Sequence, residues 1–227
     1  MYVLYIANRN YSSWSLRPWV LLKTLGLPFE ERFVPFLDGS SYEAFRAFSP
    51  TGLVPVLADG EIVVWESLAI LEYLAEAHDR VWPAEKAARA WARAAAAEMH
   101  AGFSTLRTIC GMNVGVRVEL HAISPALQRD IDRLDELWSE GLSRFGGPFL
   151  GGESFTAVDA FYAPVAFRIQ SYGLELGPAA SAYAARLLAL PAMREWEEMA
   201  LAETLRDLPH DAEIPQVGRL VSDFRAT

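Results

Sequence analysis

The sequence predicts two domains, a small α/β domain followed by an all-helical bundle. Its first 78 residues alternate between short apolar runs and helical spacing, in the order β-α-β-α-β-β-α. The pattern changes after Asp79, where Val81-Trp82-Pro83-Ala84 suits a linker, and from Glu85 onward nearly every stretch has helical spacing. We therefore expect an α/β domain over residues 1–79 and an all-α domain over residues 85–227.

The first domain begins with a buried strand. Tyr2-Val3-Leu4-Tyr5-Ile6 is β-rich and almost wholly apolar, as a central strand is. A helix pattern from Leu16 reaches Leu25 and stops at Gly26, a second strand is predicted over Phe29 to Phe36, and a short helix over Tyr42 to Phe48. The first strand-helix-strand unit should be parallel and the last two strands antiparallel, which is the thioredoxin-like arrangement.

A hairpin and a helix start close this domain. Val54-Pro55-Val56-Leu57 begins a strand, and Asp59-Gly60 suits a tight primed turn because both residues tolerate positive φ. Trp65-Glu66-Ser67 then opens a helix that continues to Leu74. Its first turn offers a hydroxyl and free backbone N–H groups, so it predicts an anion site.

The second domain is predicted from five helix patterns, over about 85–114, 125–145, 156–171, 179–189 and 191–203. Proline stands near the start of three of them, where its missing N–H costs little. Thr156 is an N-cap candidate, and Asp159 can bond back to its N–H in a capping box. We expect both residues to be structural.

Composition excludes several classes of protein. The net charge of −9 disfavours nucleic acid or an anionic membrane as partner. No apolar run reaches 18 residues, the N-terminus lacks a basic region, and the single Cys110 forms neither an internal disulfide nor a CxxC centre. The histidines show no metal-ligand spacing, so no metal is predicted. These features fit a cytoplasmic protein.

The segment SPTGLVPVL, followed by WES, resembles the glutathione-binding half of glutathione transferases. The resemblance implies that Pro55 is cis and that the backbone of Val54 pairs with the cysteinyl backbone of glutathione, as an added strand would. It also implies that Glu66 and Ser67 hold the γ-glutamyl group. The domain order is that of the same family, so the resemblance covers the whole chain.

Glutathione chemistry needs a thiolate, which a hydroxyl donor at a helix start can stabilise. The stretch Tyr11-Ser12-Ser13-Trp14-Ser15-Leu16-Arg17 is similar to the zeta-class pattern, which makes Ser12 the catalytic serine and Ser13 its partner. Two alternatives are a serine that only caps the helix and Tyr11 as the donor. Trp14 stands where the zeta class has a cysteine, which weakens the case for its maleylacetoacetate isomerase activity. Arg17 either forms an ion pair or assists the site.

The electrophile site is expected between the domains, with mostly apolar walls that suit a hydrophobic acceptor. The predicted wall residues are Tyr11, Trp14, Phe103, Arg107 and Cys110. Phe36 to Phe45 contains no Lys, Arg, His or Gln for the glycine carboxylate of glutathione, and Arg46 is the nearest base.

The leading hypothesis is a glutathione S-transferase that adds glutathione to a hydrophobic electrophile, as a cytoplasmic detoxifying homodimer. Alternatives are a glutathione-dependent isomerase or dehalogenase and a non-catalytic binding module of the same fold. The Ala-rich stretch 84–101 and the helix from Ser67 to His78 are the predicted dimer contact.

Overall fold

The computed structural model describes residues 1–37 and 40–226. In chain order the elements are β1 (Tyr2–Ile6), α1 (Ser13–Leu25), β2 (Phe29–Phe33), α2 (Tyr42–Arg46), β3 (Val56–Asp59), β4 (Ile62–Trp65), α3 (Ser67–Ala77), α4 (Lys86–Ala101), α5 (Ser104–Ile109), β5 (Val116–Leu120), α6 (Pro125–Phe145), α7 (Ala157–Tyr172), α8 (Pro178–Leu188), α9 (Pro191–Ala202), α10 (Leu208–Val217) and β6 (Gly218–Asp223). Within these ranges, the helices are too short or too polar to cross a bilayer.

The first domain has the predicted thioredoxin-like sheet. Its strand order is β2-β1-β3-β4, with β1 and β2 parallel and β3 antiparallel to both of its neighbours. Asp59 pairs with Ile62, so the tight turn consists of Gly60 and Glu61, one residue later than predicted. Gly60 has φ of +59°, a conformation in which glycine carries no Cβ penalty. The hairpin directs the chain into the start of α3.

Helix α1 begins earlier than its apolar spacing indicated. The Leu16 N–H donates to the Ser12 carbonyl at 3.3 Å, so Ser13 to Ser15 form the first turn. Pro18 is consequently the sixth helical residue, not a first-turn residue. The serines therefore stand within the positive end of the helix.

The second domain departs from the prediction in two regions. The helix expected over 85–114 ends at Ala101, because Gly102 and Phe103 leave the helical conformation, Phe103 with φ of +53°. After α5 the chain forms β5, which pairs antiparallel with β6. An otherwise helical domain thus carries a two-stranded ribbon. Helices α6 to α9 begin and end within one residue of the predicted limits, whereas α10 was not predicted.

Helix α7 is the centre of the second domain and packs against α1, α4 and α8. Its start is fixed by Asp159, which accepts the Thr156 N–H at 2.9 Å, the Leu150 N–H at 3.0 Å and the Tyr183 hydroxyl at 2.8 Å. Asp159 is fully buried, and burial raises the pKa of its carboxyl to about 6. Because α1 packs on α7 and α9, the first turn of α1 lies at the junction of the two domains.

Candidate active site

Two adjoining cavities lie where the first turn of α1 meets the second domain. The large cavity, of about 640 Å³, is bounded by that turn, by the loops around α2, by α5 and the residues after it, and by α7 and α10. The small pocket, of about 240 Å³, is lined by Trp14, Thr51, Leu53, Val54, Pro55, Glu66 and Ser67. Three of these residues, Trp14, Leu53 and Val54, line both spaces. One extended ligand can therefore occupy both.

The small pocket contains all four residues predicted to bind glutathione. The Val54-Pro55 peptide bond is cis. Ser49 stabilises the loop that precedes this bond. The Ser49 hydroxyl donates to the Leu53 carbonyl at 2.7 Å and accepts the Leu53 N–H at 3.1 Å. Among the described residues, no loop hydrogen bond uses the backbone of Val54. Its N–H and C=O are therefore free to pair with an extended ligand.

The start of α3 forms the floor of the small pocket. Glu66 precedes the helix with φ of +68°, a conformation that non-glycine residues rarely adopt and that clusters at functional sites. Ser67 follows as the first helical residue; it is fully buried, and its hydroxyl accepts the Arg17 Nη1–H at 3.3 Å. The Glu66 carboxylate is half exposed, 3.9 Å from His100 Nε2. A carboxylate bound here would meet the helix N–H groups and the Ser67 hydroxyl.

Arg17 is a buried cation behind this floor. Its guanidinium lies 4.0 Å from the ring centre of Trp14 and 4.5 Å from that of Phe161. Within the residues that the structure describes, it forms no ion pair with a carboxylate. Burial, followed by the charges of Arg168 and Arg107, lowers its pKa well below the usual value. An uncompensated buried charge is costly, so the site suits an anionic ligand.

Ser12 and Ser13 are both buried and both line the large cavity. Ser12 is the N-cap of α1 but makes no side-chain cap bond; its hydroxyl lies 2.7 Å from that of Ser15. The Ser13 hydroxyl accepts the Arg168 Nη2–H at 3.2 Å. Neither hydroxyl is used to cap the helix, which leaves both available to a ligand.

Tyr11, the alternative donor, has its hydroxyl engaged elsewhere. It donates to Asp211 Oδ1 at 3.1 Å and accepts the Arg225 Nη1–H at 2.9 Å. Burial raises the pKa of Tyr11 to about 12. Its ring lines the large cavity, while its only hydrogen points to α10. This arrangement favours a serine over Tyr11 as the thiol donor.

The walls of the large cavity differ in part from those predicted. Of the predicted wall residues, Tyr11, Trp14 and Arg107 line it. Phe103 and Cys110 do not line it, because these residues flank α5 and their side chains pack into the buried core. Burial raises the pKa of the Cys110 thiol to about 12, so this side chain is an inert core group.

Polar residues from α7 and α10 complete the cavity, and the sequence analysis missed them: Arg168, His210, Glu213 and Gln216. A signal for the first was available, since it is the one cation in the otherwise nearly apolar sequence of α7. Arg168 donates to the Cys110 carbonyl, and burial lowers its pKa to about 10. Arg107 lies 5.4 Å from the Trp14 ring centre. The cavity is therefore bordered by two cations and is not mostly apolar.

Comparison with known proteins decides the family. A model described as the glutathione S-transferase N-terminal domain matches residues 11–77, and one for the C-terminal domain of the same family matches residues 89–198. A zeta-class glutathione S-transferase from Euphorbia esula is 31% identical over 67% of this chain and 70% of its own. The chain belongs to the glutathione S-transferase family. The predicted family, fold and transferase type are thus confirmed.

Two further relatives bear on the kind of glutathione S-transferase. A probable maleylacetoacetate isomerase from Vibrio cholerae is 29% identical over 85% of this chain and 94% of its own length. A solved glutathione transferase homolog from Burkholderia, with bound glutathione, has a TM-score of 0.64 and 25% identity, covering 88% of this chain and 97% of that chain. The names of these relatives thus include both glutathione transferases and an isomerase.

The structure bears on the expected glycine carboxylate site and on the metal content of this glutathione S-transferase. Arg46, the nearest base to the expected glycine carboxylate site, donates to the Ser49 and Pro50 carbonyls and does not line either cavity. Asp38 and Gly39, within the stretch predicted to lack a base, lie outside the described residues. In the ranges 1–37 and 40–226, no group of three or more His, Cys, Asp or Glu is placed to hold a metal.

Proposed function

We propose that this protein activates glutathione as a thiolate through Ser12 and transfers it to a small acceptor. The observation that carries the proposal is the position of the Ser12 hydroxyl. Ser12 is the N-cap residue of α1, its hydroxyl makes no cap bond, and it lines the cavity that adjoins the pocket of Val54 and Ser67. A hydroxyl donor at the positive end of a helix stabilises a thiolate.

Glutathione fits the two spaces in one orientation. The γ-glutamyl carboxylate binds the Ser67 hydroxyl and the first N–H groups of α3, with Arg17 behind them, and the γ-glutamyl amine meets Glu66. The cysteinyl backbone pairs with Val54, which lines both spaces. The thiol then reaches the first turn of α1, where Ser12 donates to it and Ser13 stands beside it. The remainder of the large cavity is left for the acceptor.

We propose further that the acceptor carries an anionic group. Arg107 and Arg168 line the large cavity, and neither forms an ion pair with a carboxylate among the described residues. Glu213 lines the same cavity and offsets part of this charge. Met112 and the rings of Tyr11 and Phe36 offer apolar contact to the rest of the molecule. These charged and apolar walls favour an amphipathic acceptor over the purely hydrophobic one predicted from the sequence.

A glutathione-dependent isomerase is the second candidate. The Vibrio cholerae relative bears that name, and a cavity with two cations suits a carboxylated substrate. Trp14 replaces the zeta-class cysteine, and this difference disfavours the isomerase. A dehalogenase would use the same thiolate, and a binding module would keep the pocket without the chemistry.

Matched acceptors test the proposal. Chlorodinitrobenzene and chloronitrobenzoate react with thiolates by the same substitution, but only the second carries a carboxylate. We expect turnover of both, with the lower KM for the benzoate, and we expect Arg107→Gln to remove this preference. Binding of glutathione without turnover of either acceptor would favour the isomerase or the binding module, and failure to bind glutathione would contradict the proposal.

The assembly we propose is a two-fold homodimer, in the cytoplasm as predicted from the sequence. We place the contact on a different surface from the one suggested by the sequence. Ala88, Ala92, Ala95 and Ala96 are buried within the chain, against α7, and Glu72 pairs with Arg93 at 2.9 Å. Exposed apolar side chains lie instead on β4, an edge strand. An exposed apolar edge is a surface that a second copy can cover.

A further inference from the structure

A histidine and a carboxylate form a pair on the wall of the large cavity. His210, in α10, lines this cavity, and its Nδ1 is hydrogen-bonded to Asp207 Oδ2. Asp207 is also the N-cap of α10 and accepts the His210 backbone N–H at 3.3 Å. Capping needs only the carboxylate and that N–H. The contact between the carboxylate and the imidazole is therefore additional to the cap.

The imidazole ring is held between two aromatic rings. Its centre lies 5.2 Å from that of Tyr11 and 5.5 Å from that of Phe36, with interplanar angles of 26° and 28°. Tyr11 is itself fixed by its bonds to Asp211 and Arg225. With Nδ1 occupied by Asp207, the nitrogen left for a ligand is Nε2, for which the described part of the chain supplies no hydrogen-bond partner. The ring is therefore held in place, and its Nε2 stays available to a ligand.

The charges around the ring come from several elements. Asp207, Asp211 and Glu213 are on or next to α10, Tyr11 precedes α1, and Arg225 follows β6. Phe36, after β2, brings no charge. A carboxylate on Nδ1 fixes the tautomer and stabilises positive charge on the ring, as in other histidine–carboxylate pairs. The His210 side chain is 39% exposed, so its proton can be replaced from solvent.

We infer that His210, oriented by Asp207, is the proton donor for acceptors that react with glutathione by addition to an activated double bond. The inference rests on the proposed function, since it needs the thiolate in the same cavity. It extends that function to a reaction class, conjugate addition, in which a proton must be delivered to carbon.

The step balances without any further reactant. The thiolate sulfur forms a bond to the β-carbon of an α,β-unsaturated ketone, and the π electrons move to the carbonyl oxygen, giving an enolate. His210 then transfers its Nε2 proton to the α-carbon, which forms the C–H bond and restores the ketone. The neutral imidazole takes a proton from solvent, which replaces the one that glutathione lost when its thiol ionised. Substitution on a chloro-aromatic expels chloride and needs no such proton.

Comparing an addition acceptor with a substitution acceptor distinguishes a proton-donor role of His210 from a structural role. The variants are His210→Phe, which keeps a ring between Tyr11 and Phe36, and Asp207→Asn, which keeps an N-cap acceptor. For each, kcat is measured with an α,β-unsaturated ketone and with chlorodinitrobenzene. Because general acid catalysis contributes ~10²–10⁴-fold, we expect His210→Phe to lower kcat for addition at least tenfold more than kcat for substitution. Asp207→Asn should do so to a lesser degree.

A control variant completes the test. Gln216→Ala, a change on the same helix and in the same cavity, should alter both acceptors by the same factor. An unchanged ratio in His210→Phe would overturn the inference. A wild type that is active only in substitution would also overturn the inference, but it would leave the proposed function intact. A wild type that is inactive with both acceptors would contradict the proposed function as well.

Discussion

The Ser15 hydroxyl lies 2.7 Å from that of Ser12 and accepts the Ala7 backbone N–H at 3.4 Å. Because Ser15 already accepts a hydrogen from the backbone, its own hydrogen can go to the Ser12 oxygen. The hydrogen of Ser12 is then free to point into the large cavity. Donation in this direction suits a thiolate bound in the cavity.

Ser12→Ala should raise the pKa of the bound glutathione thiol by a unit or more and leave the fold intact. One hydrogen bond to a charged group is worth ~1.5–3 kcal/mol, and a pKa unit corresponds to about 1.4 kcal/mol. Titration of the thiolate absorbance in the complex measures the shift. Ser15→Ala, which removes only the orienting partner, should give a smaller rise. A larger rise in Ser13→Ala than in Ser12→Ala would make Ser13 the donor.

Ser67→Ala should raise the dissociation constant of glutathione about tenfold or more, since the lost bond is made to a carboxylate and is worth ~1.5 kcal/mol or above. Isothermal calorimetry gives this constant directly. Ser104→Ala is the matched control, because it removes a hydroxyl from the large cavity and not from the small pocket. Equal affinities in wild type and Ser67→Ala would remove Ser67 from the site.

Arg17→Met should separate stability from binding. The buried guanidinium of Arg17 lacks a carboxylate partner in the described structure, so an apolar side chain of similar length should not lower the melting temperature. Glutathione should nevertheless bind at least tenfold more weakly, because the cation behind Ser67 is lost. A large drop in melting temperature with unchanged affinity would show that Arg17 serves the fold alone.

Asp159 should make the free energy of unfolding depend on pH. Its pKa is about 6 in the folded protein and 3.8 as the reference value, so the folded state binds more protons between these values. Stability from this group is therefore fully present below pH ~4 and is lost as pH rises through about 6, by ~2–3 kcal/mol. Denaturant unfolding across this range should show that decline in the wild type and not in Asp159→Asn. Equal slopes would refute the assignment.

The protein should scatter light as a particle near twice 25.2 kDa at micromolar concentration. Ile62, Val63 and Trp65 on β4 are 51, 41 and 41% exposed, and a stable two-fold interface buries at least ~1,200 Å² in total. Val63→Glu should shift the mass toward the monomer. Leu220→Glu, on the exposed face of β6, is a control that should not. A wild-type mass near 25.2 kDa would refute the dimer.

Local signals predicted the first domain well. Apolar runs, the Asp-Gly turn and the helix stop at Gly26 each depend on a few neighbouring residues, and the sheet order follows from them. The ribbon of β5 and β6 had no such signal, since Val118 pairs with Leu220, about a hundred residues away. Pairings at long range are invisible to periodicity. The alanine face of α4 carried a true signal of close packing, but the sequence could not say that α7 of the same chain covers it.

The sequence named the residues that line the small pocket but missed part of the wall of the large cavity, and both outcomes have the same reason. Val54, Pro55, Glu66 and Ser67 are close in sequence, so one motif names them all. His210 and Arg168 reach the cavity only through the packing of α10 and α7 around α1. Tyr11 was a reasonable donor from its position, and only its bonds to Asp211 and Arg225 show that its hydrogen is committed.

Helix α10 lies beyond residue 198, where the match to the C-terminal family model ends. It supplies one wall of the acceptor cavity, while only Ile214 of its residues joins the buried core. Changes at the cavity-lining positions of α10, with Asp211 and Ile214 kept, should therefore alter which molecules fit in the large cavity and leave the small pocket in place. His210, Glu213, Gln216 and Val217 are thus the positions for a focused library that changes acceptor preference.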